Sequence, residues 1–202
     1  MRWRMLAVAL AAGAAMSACG SPEQAQNALA PGPPPPPPVA VPSEDGSVEL
    51  GGSPAVEQIK QRGKLLVGLR SDDPRMVQRV GAGEYRGFDV EIAGILASGM
   101  GLDPAQVSFR WLPPAVRTNA MTAGSVDVQL GGFAQDAPQF AKAGPYAVTG
   151  DGAEHYVGFS PGDDAMREEL QRILDAAVAD GRWQRAYDGT LGAAGVQARP
   201  AP

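Results

Sequence analysis

In Lys64-Leu65-Leu66-Val67-Gly68-Leu69 the five residues after Lys64 form an unbroken apolar run of strand length. A strand with one wet face alternates apolar and polar residues, so a continuous run points to burial on both faces, as in parallel sheets. Working outward, Ala55 to Arg62 reads as a short helix ahead of it. Behind it, Phe88, Ile92, Ile95, Leu96 and Met100 recur at spacings of three and four, which puts them on one face of a helix over Phe88 to Met100. Val107 to Leu112 reads as a second strand, Arg117 to Ala123 as a short helix and Val126 to Leu130 as a third strand. Strand, helix, strand, helix, strand is the order of a parallel sheet with right-handed crossovers. Gly131 to Gly152 shows no period and reads as irregular, and His155 to Ser160 reads as a further strand. Asp164 to Ala179 predicts a long helix with Met166, Leu170, Ile173, Leu174 and Val178 facing inward. Asp180-Gly181 stops it, and Trp183 to Leu191 makes a last short helix. The expected fold class is therefore α/β, a mainly parallel sheet flanked by helices, with one domain over residues 53–192.

Composition narrows the function. The chain of 202 residues has one cysteine and one histidine, Cys19 and His155. A single cysteine forms no internal disulfide and no thiolate metal site, and a lone histidine gives no imidazole cluster, so no cofactor and no metal are expected. The 17 Lys and Arg face 22 Asp and Glu, and without Arg2 and Arg4 the balance is −7. Such a surface does not attract a phosphate backbone, and nucleic acid is not an expected partner.

Arg2 and Arg4 precede an apolar stretch, Met5 to Ala15, that is too short to span a bilayer and has the length of an export signal. Met16-Ser17-Ala18-Cys19 follows and resembles the lipobox of bacterial lipoproteins, with Met16 where Leu is usual. The resemblance implies a signal peptide over 1–18 and lipidation of Cys19, which would place the protein at the cell membrane, lipid-anchored on the extracytoplasmic face. Residues 19–52 include six consecutive prolines, Pro33 to Pro38, and read as a disordered spacer in which the proline run is extended. Residues 193–202 read as a flexible tail.

The folded segment resembles a known family. Gly63-Lys64-Leu65-Leu66-Val67-Gly68-Leu69 with Asp72 and Pro74, then Gly87-Phe88-Asp89-Val90-Glu91-Ile92-Ala93, is similar to the opening of family 3 extracellular solute-binding proteins. Arg117 with Ala123-Gly124-Ser125-Val126-Asp127, Gly144-Pro145-Tyr146, and Asp180-Gly181-Arg182-Trp183 through Tyr187 and Leu191-Gly192 resemble its later blocks. The resemblance implies a periplasmic-binding-protein-like type II fold, a polar amino acid as ligand, with the glutamate- and glutamine-binding branch nearest in pattern, and an ABC permease as partner. It implies cleft roles for Asp72 (ammonium), Met76 and Phe133 (apolar contact), Arg117 (carboxylate), Gly131 and Asp136, with Gln139 also in the ligand-binding set.

Two departures stand against that pattern. Where the family places a Thr and the Arg that clamps the ligand carboxylate, the ungapped continuation puts Asp136 and Gln139, and no arginine lies between Arg117 and Arg167. In addition, Pro145-Tyr146-Ala147-Val148-Thr149-Gly150 is followed within a few residues by His155-Tyr156-Val157-Gly158-Phe159, which resembles the return strand, so the family's second lobe is expected to be absent. Simpler roles stand beside these: Asp72 capping the turn at Pro74, Arg117 pairing with Asp127, Phe133 in the core, and Asp136 capping a helix ahead of Pro138. The functional expectation is a lipid-anchored solute-binding relative with a degenerate ligand site. The alternative is a surface interaction module built on one lobe. Related folds occur in cyclohexadienyl dehydratases, but no nucleophile with a base and no set pair of carboxylates is present, so no enzyme is expected.

Overall fold

A computed structural model describes residues 52–133 and 137–201. The expected signal peptide, Cys19 and nearly all of the proline-rich spacer fall at 1–51, and Asp136 within 134–136, so they lie outside the described residues.

The chain enters through α1 (Pro54–Arg62) and β1 (Leu65–Arg70). A small hairpin follows, β2 (Gln78–Arg79) with β3 (Tyr85–Arg86), and then α2 (Phe88–Gly99), β4 (Val107–Leu112), α3 (Arg117–Thr122) and β5 (Val128–Gly131). Next come β6 (Ala141–Thr149), β7 (Glu154–Phe159), α4 (Asp164–Ala179), α5 (Arg182–Tyr187), a π-helical turn Asp188–Gly192, and β8 (Ala198–Arg199). The main sheet has the order β4-β1-β5-β7-β6-β8. β1 pairs in parallel with β4 and β5, whereas β5 with β7, β7 with β6 and β6 with β8 are antiparallel. Four of the six strands, β4, β1, β5 and β6, thus run the same way. This is the α/β lobe that the sequence predicts, with β1 flanked on both sides by β4 and β5 and its Leu65, Val67 and Leu69 fully buried.

Helix burial follows the apolar spacing. Phe88, Ile92, Ala93 and Leu96 of α2 meet Met166, Leu170 and Ile173 of α4 in one core, each of these side chains larger than alanine contributing about 1.5–3 kcal/mol of transfer free energy. Val178 departs from its expected inward place and is 43 % exposed. One carboxylate caps two helices: Asp163 accepts from the backbone N–H of Met166 at the start of α4 (2.8 Å) and from the Ser53 hydroxyl at the start of α1 (2.6 Å).

Two expectations need correction. The stretch 131–152 is not irregular throughout, because 141–149 form β6, paired on both sides. The last residues are not a free tail: Ala198 and Arg199 pair with Thr149 and Val148, and the Gln197 carbonyl accepts from the Gly150 N–H at 2.8 Å. β6 passes into β7 through a tight turn at Gly150-Asp151-Gly152, held by Thr149 N–H to Ala153 C=O (2.9 Å) and Gly152 N–H to Thr149 C=O (2.8 Å). No room for a second lobe remains between them.

Candidate functional site

In an open α/β sheet the loops at the carboxyl ends of parallel strands form the natural ligand crevice. At that edge β1 ends on Arg70, β5 ends on Gly131, and the loop after β4 leads into Arg117, the first residue of α3. These residues meet. The Arg70 guanidinium forms a fork on Asp72, Nε to Oδ1 at 3.1 Å and Nη2 to Oδ2 at 3.0 Å, and its Nη1 donates to the Gly132 carbonyl. Arg117 Nη2 donates to Asp72 Oδ1, and the Gln129 amide fixes the start of α3 by donating to the Arg117 carbonyl at 2.6 Å.

Gly131 makes the crossing of Arg70 possible. Its φ is +128°, and a Cβ there would lie 2.1 Å from Arg70 Cδ, so only glycine leaves room for the stem. The Arg70 fork, with the Arg117 contact behind it, holds the Asp72 carboxyl down at about 2 against a smaller upward push from burial. A carboxylate that weakly basic is a poor proton acceptor near neutral pH, so the arrangement suits the holding of charged groups rather than proton transfer.

The other expected site residues fall into two groups. Phe133 lies beside the cluster, half-buried, with its ring 5.0 Å from that of Phe140 and against the backbone of Gly158, where a Cβ would come within 2.3 Å of Phe133 Cζ. Met76 is not in the crevice: its side chain is 1 % exposed in the core, and its carbonyl accepts from the Asp89 N–H at 3.1 Å. Gln139 is partly exposed and, among the described residues, makes no hydrogen bond to the cluster. The pairing of Arg117 with Asp127 does not form, since Asp127 takes Arg62 and the Leu66 N–H instead. Arg70 was not singled out in the sequence. The only signal was a cation ending an apolar strand two positions before Asp72.

A second ion network adjoins the first. Arg75 reaches Asp73 at 3.3 Å and Asp151 at 2.8 Å, tying the loop after β1 to the β6–β7 turn. The Thr149 hydroxyl and Arg75 hold the Asp151 carboxyl below its ordinary range. Beneath both networks lies a buried polar pair. Asp89, fully buried at the start of α2, accepts from the Tyr146 hydroxyl at 2.6 Å, while Trp183 Nε1 donates to the Tyr146 carbonyl at 2.6 Å. Burial pushes the Asp89 carboxyl up to about 7 against the Tyr146 hydrogen bond. His155, 2 % exposed with its ring 6.1 Å from Tyr146, is pushed down by burial and stays neutral. Among the described residues no cluster of His, Cys, Asp and Glu is placed to hold a metal ion, and no helix is long and apolar enough to cross a membrane.

Solved structures share the fold of this lobe. The arginine-bound form of domain 1 from TmArgBP has a TM-score of 0.52 at 23 % identity, covering 59 % of this chain and 97 % of that one. The solute receptor for L-cysteine of Neisseria gonorrhoeae gives 0.58 at 18 % identity, with 67 % and 93 % covered. An ancestral amino-acid-binding protein, AncCDT-1, a precursor of cyclohexadienyl dehydratase, gives 0.57 at 14 % identity, with 69 % and 100 % covered. At these identities the likeness is one of fold. No curated protein matches the chain in sequence. The sequence profile of the bacterial extracellular solute-binding proteins, family 3, matches residues 65–193, well over half of the 202, and the chain belongs to that family.

Proposed function

We propose that the protein is an extracytoplasmic, lipid-anchored relative of the amino-acid-binding component of an ABC importer, reduced to one lobe with a degenerate site that weakly engages polar amino acids of the glutamate or glutamine type. The observation that carries this reading is the Arg70–Asp72–Arg117 cluster at the strand ends: two guanidinium groups share one carboxylate, so the cluster itself carries one positive charge. Such a site favours a carboxylate, and charge-assisted hydrogen bonds to it contribute about 1.5–3 kcal/mol. A lone lobe offers only one wall of the usual crevice, so most of a ligand's surface stays wet and affinity is low. That an isolated domain 1 of another binding protein is known in an arginine-bound form supports the idea that one lobe can hold a solute. The reading is of a binder rather than an enzyme, because Asp72 is a weak base and the one histidine is buried.

Thermal melting of the protein against an amino-acid library tests it, since any solute that binds the native state raises the melting temperature with its saturation. Glutamate is expected to act at millimolar concentration. Micromolar binding of a neutral amino acid would contradict a degenerate site. No shift with any solute, together with a specific protein adduct after cross-linking in cells, would favour the surface module. For the anchor, palmitate labelling should be present in the wild type and lost in Cys19→Ser; unlabelled wild-type protein would refute it.

A further inference from the structure

We infer that Arg70 is a built-in occupant of the solute site, and that it hides a binding place for guanidinium compounds. The guanidinium of this residue has the set of partners a bound guanidinium solute would need: both Asp72 oxygens at 3.0 and 3.1 Å, and the Gly132 carbonyl just after β5. Its stem fills the space over Gly131, where the absence of a side chain and a φ of +128° keep the floor open. The side chain is 21 % exposed, so it lies in the crevice and not out in solvent. Arg117 touches Asp72 only through Oδ1, so removal of Arg70 leaves Asp72 Oδ2 and the Gly132 carbonyl as adjacent acceptors with no cation between them. A planar fork matches two such acceptors better than an ammonium does. The native chain therefore prefers anions because its own cation is already seated, and the preference reverses when that cation is taken away. This rests on the solute-site reading above.

The test is chemical rescue in the full chain. Arg70→Ala should melt lower than wild type and recover by about 4 °C when methylguanidinium or arginine is added at about ten times its dissociation constant, with calorimetric heat to match. Wild type should show at least a tenfold weaker response to methylguanidinium, and Arg70→Ala with Asp72→Asn should show none. Arg70→Lys, which keeps a cation over Gly131, should also resist rescue and provides a second folded variant. Folded Arg70→Ala that ignores both compounds, or wild type that binds methylguanidinium equally well, would overturn the inference. Failure of the solute-site reading is separate, because it is read from wild type with glutamate.

Discussion

Asp72 and Asp89 lie on the two sides of one segment, the loop and hairpin between β1 and α2, and they handle their charge in opposite ways. At the strand ends Asp72 stays ionised because two guanidinium groups share it, and its carboxyl is held at about 2. In the interior Asp89 has a tyrosine hydroxyl but no cation, and burial raises its carboxyl to about 7. The first arrangement is half-exposed, adds little to stability and can be re-tuned by one substitution. The second is built into the packing of α2, β6 and α5, which the Tyr146–Asp89 and Trp183–Tyr146 hydrogen bonds link. In this lobe binding chemistry and structural chemistry are thus divided between an outer and an inner layer.

If that division holds, the inner layer should give the heaviest losses. Trp183→Ala removes a ring packed on Phe88 and Tyr187 and the donor to the Tyr146 carbonyl, and should lower unfolding free energy by about 3–5 kcal/mol in a denaturant titration. Gly131→Ala lies on the border between layers: the +128° backbone and the clash with Arg70 should cost up to about 3 kcal/mol and unseat the Arg70 fork. Tyr146→Phe leaves an Asp89 oxygen without its donor and should cost about 1–2 kcal/mol.

Asp89 also sets a pH signature. Its carboxyl is raised in the folded state, so its favourable contribution is full below 3.8 and is lost as pH rises to about 7. His155 acts in the opposite sense, since its lowered value makes the folded state lose stability as pH falls below 6.5. The informative quantity is therefore the difference between wild type and Asp89→Asn: the variant should lack the decline from acid to neutral pH that Asp89 imposes. Parallel curves would place the Asp89 proton elsewhere. Asp72→Asn should give the smallest change, below about 1 kcal/mol at neutral pH. The lowered Asp72 carboxyl contributes above 3.8 and stops contributing as pH falls through about 2, so the difference between wild type and Asp72→Asn should be constant above 3.8 and shrink only in that acid window.

Most of the scaffold was legible because its signals are local. β1 is a continuous apolar run, and α2 and α4 carry apolar residues at helical spacing, so their positions follow from the sequence pattern with boundaries shifted by a residue or less. β6 was not legible. Its run is interrupted by Gly144-Pro145, Pro145 has no N–H for the ladder, and the register with β7 shifts between Ala143 and Ala147. β8 was missed because two residues carry no period, and only its pairing to Val148 and Thr149 makes it a strand. In the site, Asp72, Arg117 and Gly131 were singled out and are brought together, with Phe133 alongside. Met76 was misplaced because an apolar residue after a strand reads the same whether it lines a crevice or fills a core. Arg70 escaped notice because its role depends on a carbonyl 62 positions away, a contact no spacing rule reveals.

A guanidinium locked between a carboxylate fork and a carbonyl differs from a solvated one in how its protons exchange, and nuclear magnetic resonance of the arginine Nε–H groups reads this in the wild-type protein without any variant. If Arg70 occupies the site as described, its Nε–H should give a separate, slowly exchanging signal at neutral pH, where base-catalysed exchange makes solvated arginine Nε–H groups fast. An Arg70 Nε–H that exchanges as fast as that of an exposed arginine such as Arg110 at neutral pH would contradict the account.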